Sequence, residues 1–417
     1  MKRILFIGLF LSVVGGVVAG SLIEIYFPGQ TPLISSITSY LHFRQADTLP
    51  PQSYNYYVLK EHEGFVLARA PKGNHGQPLG TPQLLQPLGN DFGLSGSDSI
   101  TALYLSPDAG YLAINGNSDH GEMVWVYNTR SHDLRMLPQG VAGNFLRWLP
   151  GAHSFLYRPM LPLDPAVTTD GTWNPGLWVV DAASGTHTNI DIGVPSAELI
   201  DAAPSPDGSR IVYSTSAGLG QGSYTYTMRR DGSNRSLLFA ITEDAGAQNV
   251  AGLFSWSPNG MQIAYERLTD STTPFLKAGL WVMNAQGGAQ RRLADADGGH
   301  GFTLSWSPDS RKVAFIARTN FDEPLADIQP QALQCAVAIA DVMGNRSWLI
   351  ASTKQTGLRW NINPTWANGG TSITFTALNP VNQVLGGMPR YWSAPVAAPN
   401  LLPAPLTQTF QHIVAMS

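Results

Sequence analysis

Apolar and polar positions alternate along most of this chain in short runs, and each run stops at a turn. Phe254 to Tyr265, FSWSPNGMQIAY, shows the unit. An apolar run ends in Trp256-Ser257-Pro258, Asn259-Gly260 follows, and alternation resumes at Ile263 and Tyr265. Proline cannot donate to a β-ladder and Asn-Gly tolerates positive φ, so the stretch predicts a hairpin. The pattern recurs as LYLSPDAGYLAI (103–114), LRWLPGAHSFLY (146–157), APSPDGSRIVY (203–213), LSWSPDSRKVAF (304–315) and PTWANGGTSITF (364–375). With the place of Pro258 as marker, the copies fall at 107, 150, 206, 258, 308 and 368, spaced by 43 to 60 residues.

A second signature follows one strand later, as VWVYN (124–128), LWVVD (177–181), LWVMN (280–284) and YWSAP (391–395). A last strand then begins after a short turn, as in LRMLP (134–138), SNRSLLF (233–239) and GAQRRLA (288–294). Four short strands in about 50 residues are the size of a β-propeller blade. Large and small residues alternate, as in Ile263-Ala264-Tyr265 and Val313-Ala314-Phe315, so both faces of each sheet can pack against a neighbour.

The ends of the repeat set the blade count. Residues 54–88 hold three strand patterns with no Ser-Pro-Asp strand before them, while FQHIVAMS (410–417) matches the start of the motif and stops at its Ser. The expectation is therefore an all-β propeller over 54–417 with seven blades, whose C-terminal strand completes the N-terminal blade and closes the ring. Six blades remain the alternative if the unit with the long insertion at 158–176 is atypical.

Composition supports a turn-rich β protein. Charged residues are only 13%, Gly and Pro number 42 and 30, and 43% hydrophobic residues argue against disorder. A net charge of −4 points away from nucleic acid. Cys335 is the single cysteine, so no intrachain disulfide forms.

Before the repeats, Lys2 and Arg3 precede an uncharged run from Ile4 to Ile23 that Glu24 closes. That run is long enough to span a bilayer, and Val17-Val18-Ala19 before Gly20 also suits signal cleavage. Residues 1–26 thus read as a signal anchor or a signal peptide, and 27–53, rich in Ser, Thr and Pro, as a linker. Either way the propeller is expected outside the cytoplasm, with the N-terminal helix as its membrane contact if uncleaved.

The repeated Trp-Ser-Pro turn, followed by a strand ending in Asp or Asn, resembles the TolB-like (WD-like) propeller family over about residues 54–417. The resemblance implies an extracytoplasmic propeller. The chain departs from that family's pattern in lacking an N-terminal α/β domain and in counting seven blades. Prolyl oligopeptidases carry similar propellers beside a hydrolase domain, and no such domain is expected from this sequence.

Catalytic patterns are weak. GLSGS (93–97) lacks the second Gly of a nucleophile elbow, and GLGQGS (218–223) joins two strands instead of opening a helix. Asp119-His120-Gly121-Glu122 reads as a solvated turn, and Asp295-Ala296-Asp297-Gly298-Gly299 resembles the front of a calcium loop without its closing Glu. No cofactor or metal is therefore expected.

One constellation suggests binding. Arg158, Arg267 and Arg318 stand where second strands should end, each opening a long loop, and Arg359-Trp360 approaches the same rim from another direction. Such a rim could hold anionic groups, with Trp173 and Phe321 as apolar surfaces. The alternative is ordinary strand-end charges paired with loop acids such as Asp164, Asp270, Asp322 and Glu323. The function expected is a non-catalytic binding or scaffold protein with a protein or peptide partner on that rim. The other reading is a glycan hydrolase or lyase with a site assembled from several blades.

Overall fold

The computed structural model describes residues 50–416 apart from 62–63, 74–78, 89–98, 119–120, 163–175, 191–197, 217–221, 243–247, 271–277, 298–302, 328, 330–331, 345, 380–389, 398–402 and 406–412. The N-terminal apolar segment and nearly all of the linker lie outside the described residues. Among those residues, no helix is long and apolar enough to cross a membrane.

Seven four-stranded antiparallel sheets follow one another along the chain as the blades of a propeller. Blade 1 holds Tyr54–Glu61, Gly64–Pro71 and Gln83–Leu88, and Ile413–Met416 pairs with the first of these, Tyr57 opposite Met416. Blades 2 to 7 begin with Ser99–Leu105, Val141–Trp148, Glu198–Pro204, Gln248–Trp256, Ser305–Trp306 and Trp360–Ala367. The unit with the long insertion is a full blade, because Ser154–Pro162 and Leu177–Asp181 pair directly, Tyr157 opposite Trp178. Six blades are thereby excluded.

The apolar alternation packs sheet against sheet. Trp256, Ile263, Tyr265 and Met283 of blade 5 meet Ala203 and Val212 of blade 4. On the other face, Ala264, Leu280 and Val282 meet Trp306 and Phe315 of blade 6. Since strand side chains alternate between faces, the large-small pattern lets neighbouring sheets interdigitate.

The repeated tryptophan has a specific task. Its indole Nε1 donates to a main-chain carbonyl on the first strand of the preceding blade: Trp148 to Tyr104 (2.8 Å), Trp256 to Ala203 (3.2 Å), Trp306 to Ser255 (2.8 Å) and Trp366 to Ser305 (2.9 Å). Blade 4 has Pro204 at this place and so no such bond. The repeated serine works inside its own hairpin. Ser257 Oγ accepts the Gln262 N–H (2.9 Å) and donates to Asn259 Oδ1 (2.7 Å). Ser106, Ser205 and Ser307 do the same in their turns. The Asp or Asn closing the third strand accepts main-chain N–H groups of the next turn, as Asp181 does from Ala183 (3.1 Å) and Ser184 (2.7 Å). These are Asx turns, which fix the reversal to the fourth strand.

Candidate functional site

In this strand order, loops from second to third strands and from a fourth strand to the next blade leave at one rim. The Ser-Pro turns lie on the opposite rim. Arg318 ends its strand, Lys312–Arg318, and is 7% exposed. Its guanidinium donates to the carbonyls of Glu323 (2.9 Å) and Asn320 (3.3 Å) and lies 5.7 Å from the centre of the Phe321 ring. Asn320 ties the loop across, donating to Ala332 O (2.8 Å) and accepting from Gln334 N (2.9 Å). A 3-10 turn, Pro324–Asp327, tops the loop and leaves Leu325 45% exposed.

That geometry modifies the expected pairing with loop acids. Arg318 binds the main-chain carbonyl of Glu323 instead of its carboxylate. The physical reason is that loop carbonyls lack a ladder partner, and a guanidinium offers several donors in a rigid fork.

Arg158 and Arg267 do not end their strands. Those strands run on to Pro162 and Asp270, so both arginines lie inside the sheets. Arg158 donates to the carbonyls of Leu199 (3.3 Å) and Ile200 (3.4 Å) of blade 4 and to Asn144 Oδ1 (3.4 Å). A bulge between Leu199 and Asp201 interrupts the ladder there. Asp201 next to it accepts the Phe254 N–H of blade 5 (2.8 Å) and faces Arg147 of blade 3 at 3.9 Å. The innermost strands of blades 3, 4 and 5 are thus linked by polar side chains. Arg267 stacks on Trp281, 3.8 Å from the ring centre, and donates to Gln290 Oε1 (2.8 Å).

Arg359 is exposed, and its carbonyl accepts the Cys335 N–H (2.8 Å). Cys335 in turn is the register partner of Arg318, and Trp360 is 6% exposed in the core between blades 6 and 7. The structure therefore brings Arg318, Phe321, Arg359 and Trp360 to one corner, at blades 6 and 7. Arg158 and Arg267 serve other joints, and Trp173 lies outside the described residues.

A buried acid stands at the neighbouring joint, and the sequence reading passed over it. Glu266 precedes Arg267 and faces blade 6, is 1% exposed, and has no hydrogen-bond partner for Oε2. Burial first, and Asp297 second, hold its carboxyl well above the usual carboxylate range. Asp297 anchors to blade 6 through its N–H, bonded to Ile316 O (2.9 Å). Burial also pushes the Cys335 thiol up, Asp297 adding to the rise and Arg318 opposing it. The chemistry this permits is a neutral carboxylic acid beside a second carboxyl. A charged residue in the apolar run IAYER was its only sequence signal. Asp295, of the calcium-like string, pairs with Arg292, and no group of three metal-ligating side chains occurs among the described residues.

No family model matches the chain, and no curated protein does. Among solved structures it is similar to TolB from Acinetobacter baumannii (15% identity, 76% of this chain and 67% of that one, TM-score 0.43). It is similar to a prolyl endopeptidase (13% identity, 93% of this chain and 53% of that one, TM-score 0.50). It is also similar to an oligogalacturonate lyase in complex with manganese (14% identity, 83% and 91%, TM-score 0.48). The chain spans about half the length of the prolyl endopeptidase it matches. At these identities the likeness is one of fold: the chain is a seven-bladed β-propeller.

Proposed function

We propose that the chain is a non-catalytic binding or scaffold propeller that works outside the cytoplasm and holds a protein or peptide partner on the long-loop rim. The observation that carries this reading is the loop after Arg318. A buried guanidinium and the Asn320 bonds tie it from beneath, while Leu325 projects at 45% exposure. A pre-ordered loop with an apolar tip loses little entropy on binding. In this reading Phe321, Arg359 and Leu325 meet the partner. Arg158, Arg267, Arg318 and Trp360 support the rim from within, and Trp173 adds an apolar contact from the 158–176 insertion. In this reading the pairing of Ile413–Met416 with Tyr54–Glu61 supports a ring closed by the two chain ends. Lys2-Arg3 and the uncharged run after them support export, with the run as anchor or as cleaved signal.

The test is a photocrosslinker placed at Leu325 and, as control, at Met343, which is 81% exposed in a turn of the opposite rim. A discrete protein adduct from position 325 and none from 343 is expected. Equal labelling from both, or none from 325, counts against the reading.

A second reading, a glycan hydrolase or lyase, is favoured by Glu266, a carboxyl kept neutral beside Asp297 as a general acid must be. Its exposure of 1% argues the other way. Turnover of a panel of uronate and neutral glycans that Glu266→Gln abolishes would establish this reading over the first.

A further inference from the structure

Four of the blade joints carry a tryptophan indole bond; the joint between blades 3 and 4 is among those that do not, because Pro204 occupies the tryptophan place, as Leu105 does in blade 2. A pocket of about 420 Å³ opens at this joint. Val179 and the nearly covered Ile190 (2% exposed) of blade 3 form its apolar floor with Thr188 beside them, and Ser209, Arg229, Arg230 and Asp231 of blade 4 line its other side. The volume falls in the range of small-molecule sites.

The walls are held in place by their own chemistry. Gly232 (φ 84°) brings the blade 4 turn so close that a Cβ there would stand 2.7 Å from Ile190 Cγ2. Only glycine allows both the positive φ and the approach. Asp231 Oδ1 accepts from the Ser233 N–H (2.9 Å) and hydroxyl (2.7 Å), so this carboxylate is engaged in its own turn. Ser209 Oγ donates to Asp207 (2.7 Å), and the Arg230 N–H bonds to Ser209 O (3.0 Å).

The side chain of Arg230 stands apart from this order. It is half-buried, and among the described residues it has neither an ion pair nor a side-chain hydrogen bond. Two arginines near the same rim are engaged, Arg135 with the carbonyls of Ala182 and Ala183 and Arg346 with Asp341 at 3.7 Å, while Arg229 beside it is exposed. A partly desolvated cation above an apolar floor is matched by an anion with an apolar body.

We propose that this pocket binds a small carboxylic acid with a branched aliphatic body, the carboxylate on Arg230 and the body on Val179 and Ile190. Arg230 belongs to a third-to-fourth-strand turn of blade 4, away from the loop after Arg318 on blade 6, so the site does not depend on that loop.

The test uses the full chain and a matched pair of probes, 4-methylpentanoate and 4-methylpentanamide, followed by calorimetry and by methyl chemical shifts. The acid is expected to bind at least about tenfold more tightly than the amide, since the amide loses the charge-assisted bond. Shifts at Val179 and Ile190 are expected. Arg230→Gln should erase the preference and Arg230→Lys keep part of it, with the thermal midpoint unchanged in both. Equal binding of acid and amide, shifts confined to other residues, or a preference that survives Arg230→Gln in a folded protein would each overturn the assignment.

Discussion

Trp306 Nε1 lies 2.8 Å from Ser255 O, the main-chain carbonyl of the preceding blade's innermost strand. The same donor and acceptor places recur between Trp256 and Ala203 and between Trp366 and Ser305. In the blades that carry it, the tryptophan that marks the repeat is therefore also the residue that bonds it to the blade before. Trp306→Phe keeps most of the apolar area but leaves the Ser255 carbonyl without its indole donor. It should lower unfolding stability by about 1–3 kcal/mol in urea titration, the cost of an unmet buried acceptor. A change below measurement error would show that packing alone holds the joint.

The turn serine makes a separate prediction. Ser257 is fully buried and satisfies both the Gln262 N–H and Asn259 Oδ1. Ser257→Ala leaves that N–H without its side-chain acceptor, and a loss of about 1–2 kcal/mol is expected by the same titration. Ser307→Ala should cost a similar amount, because Ser307 Oγ accepts the Lys312 N–H at 2.9 Å.

The acids of these turns should titrate low. Hydrogen bonds from the Ser205 hydroxyl, then from Ser209, bring the Asp207 carboxyl down to about 2. A depressed carboxyl contributes stability above its unfolded pKa of roughly 3.9 and loses it as pH falls through the folded value. A carboxyl-resolved NMR titration should place the Asp207 midpoint near 2, and Ser205→Ala should raise it. A midpoint in the ordinary range would remove the hydrogen bonds from the account.

Glu266 behaves in the opposite sense. Its raised carboxyl contributes fully below the ordinary carboxylate pKa, and that contribution is lost as pH rises toward the folded value. Glu266→Gln keeps the shape and has no charge to bury. At pH 9 it should be more stable than the native protein by about 1–3 kcal/mol, and at pH 4 the two should converge. Urea midpoints at both pH values decide it. A variant less stable than the native protein at pH 9 would mean that the ionised carboxylate is held by favourable bonds.

Most of the fold was legible because its devices are local or repeat at fixed spacing. Ser257, Asn259 and Gln262 act within one hairpin, and Trp256 meets the same place in the preceding blade as Trp306 and Trp366 do. Less of the rim was legible. Arg158 and Arg267 looked like strand ends because their loops contain Pro and Thr, yet the ladders continue past them to Pro162 and Asp270. The carbonyls that Arg158 finds sit at a bulge on another blade, which no pattern around Arg158 announces. Glu266 shows as a charge in an apolar run, but Asp297 reaches it only through the crossing from blade 5 to blade 6.

The central claim, a partner held on the long-loop rim, is tested most directly by measuring the affinity of the protein crosslinked at position 325. Leu325→Asp and Met343→Asp alter exposed side chains on opposite rims and should leave folding intact. Leu325→Asp should weaken binding about tenfold or more, as truncation of an apolar anchor does, with Met343→Asp unchanged. Undiminished binding by Leu325→Asp, or a loss confined to Met343→Asp, would contradict the account.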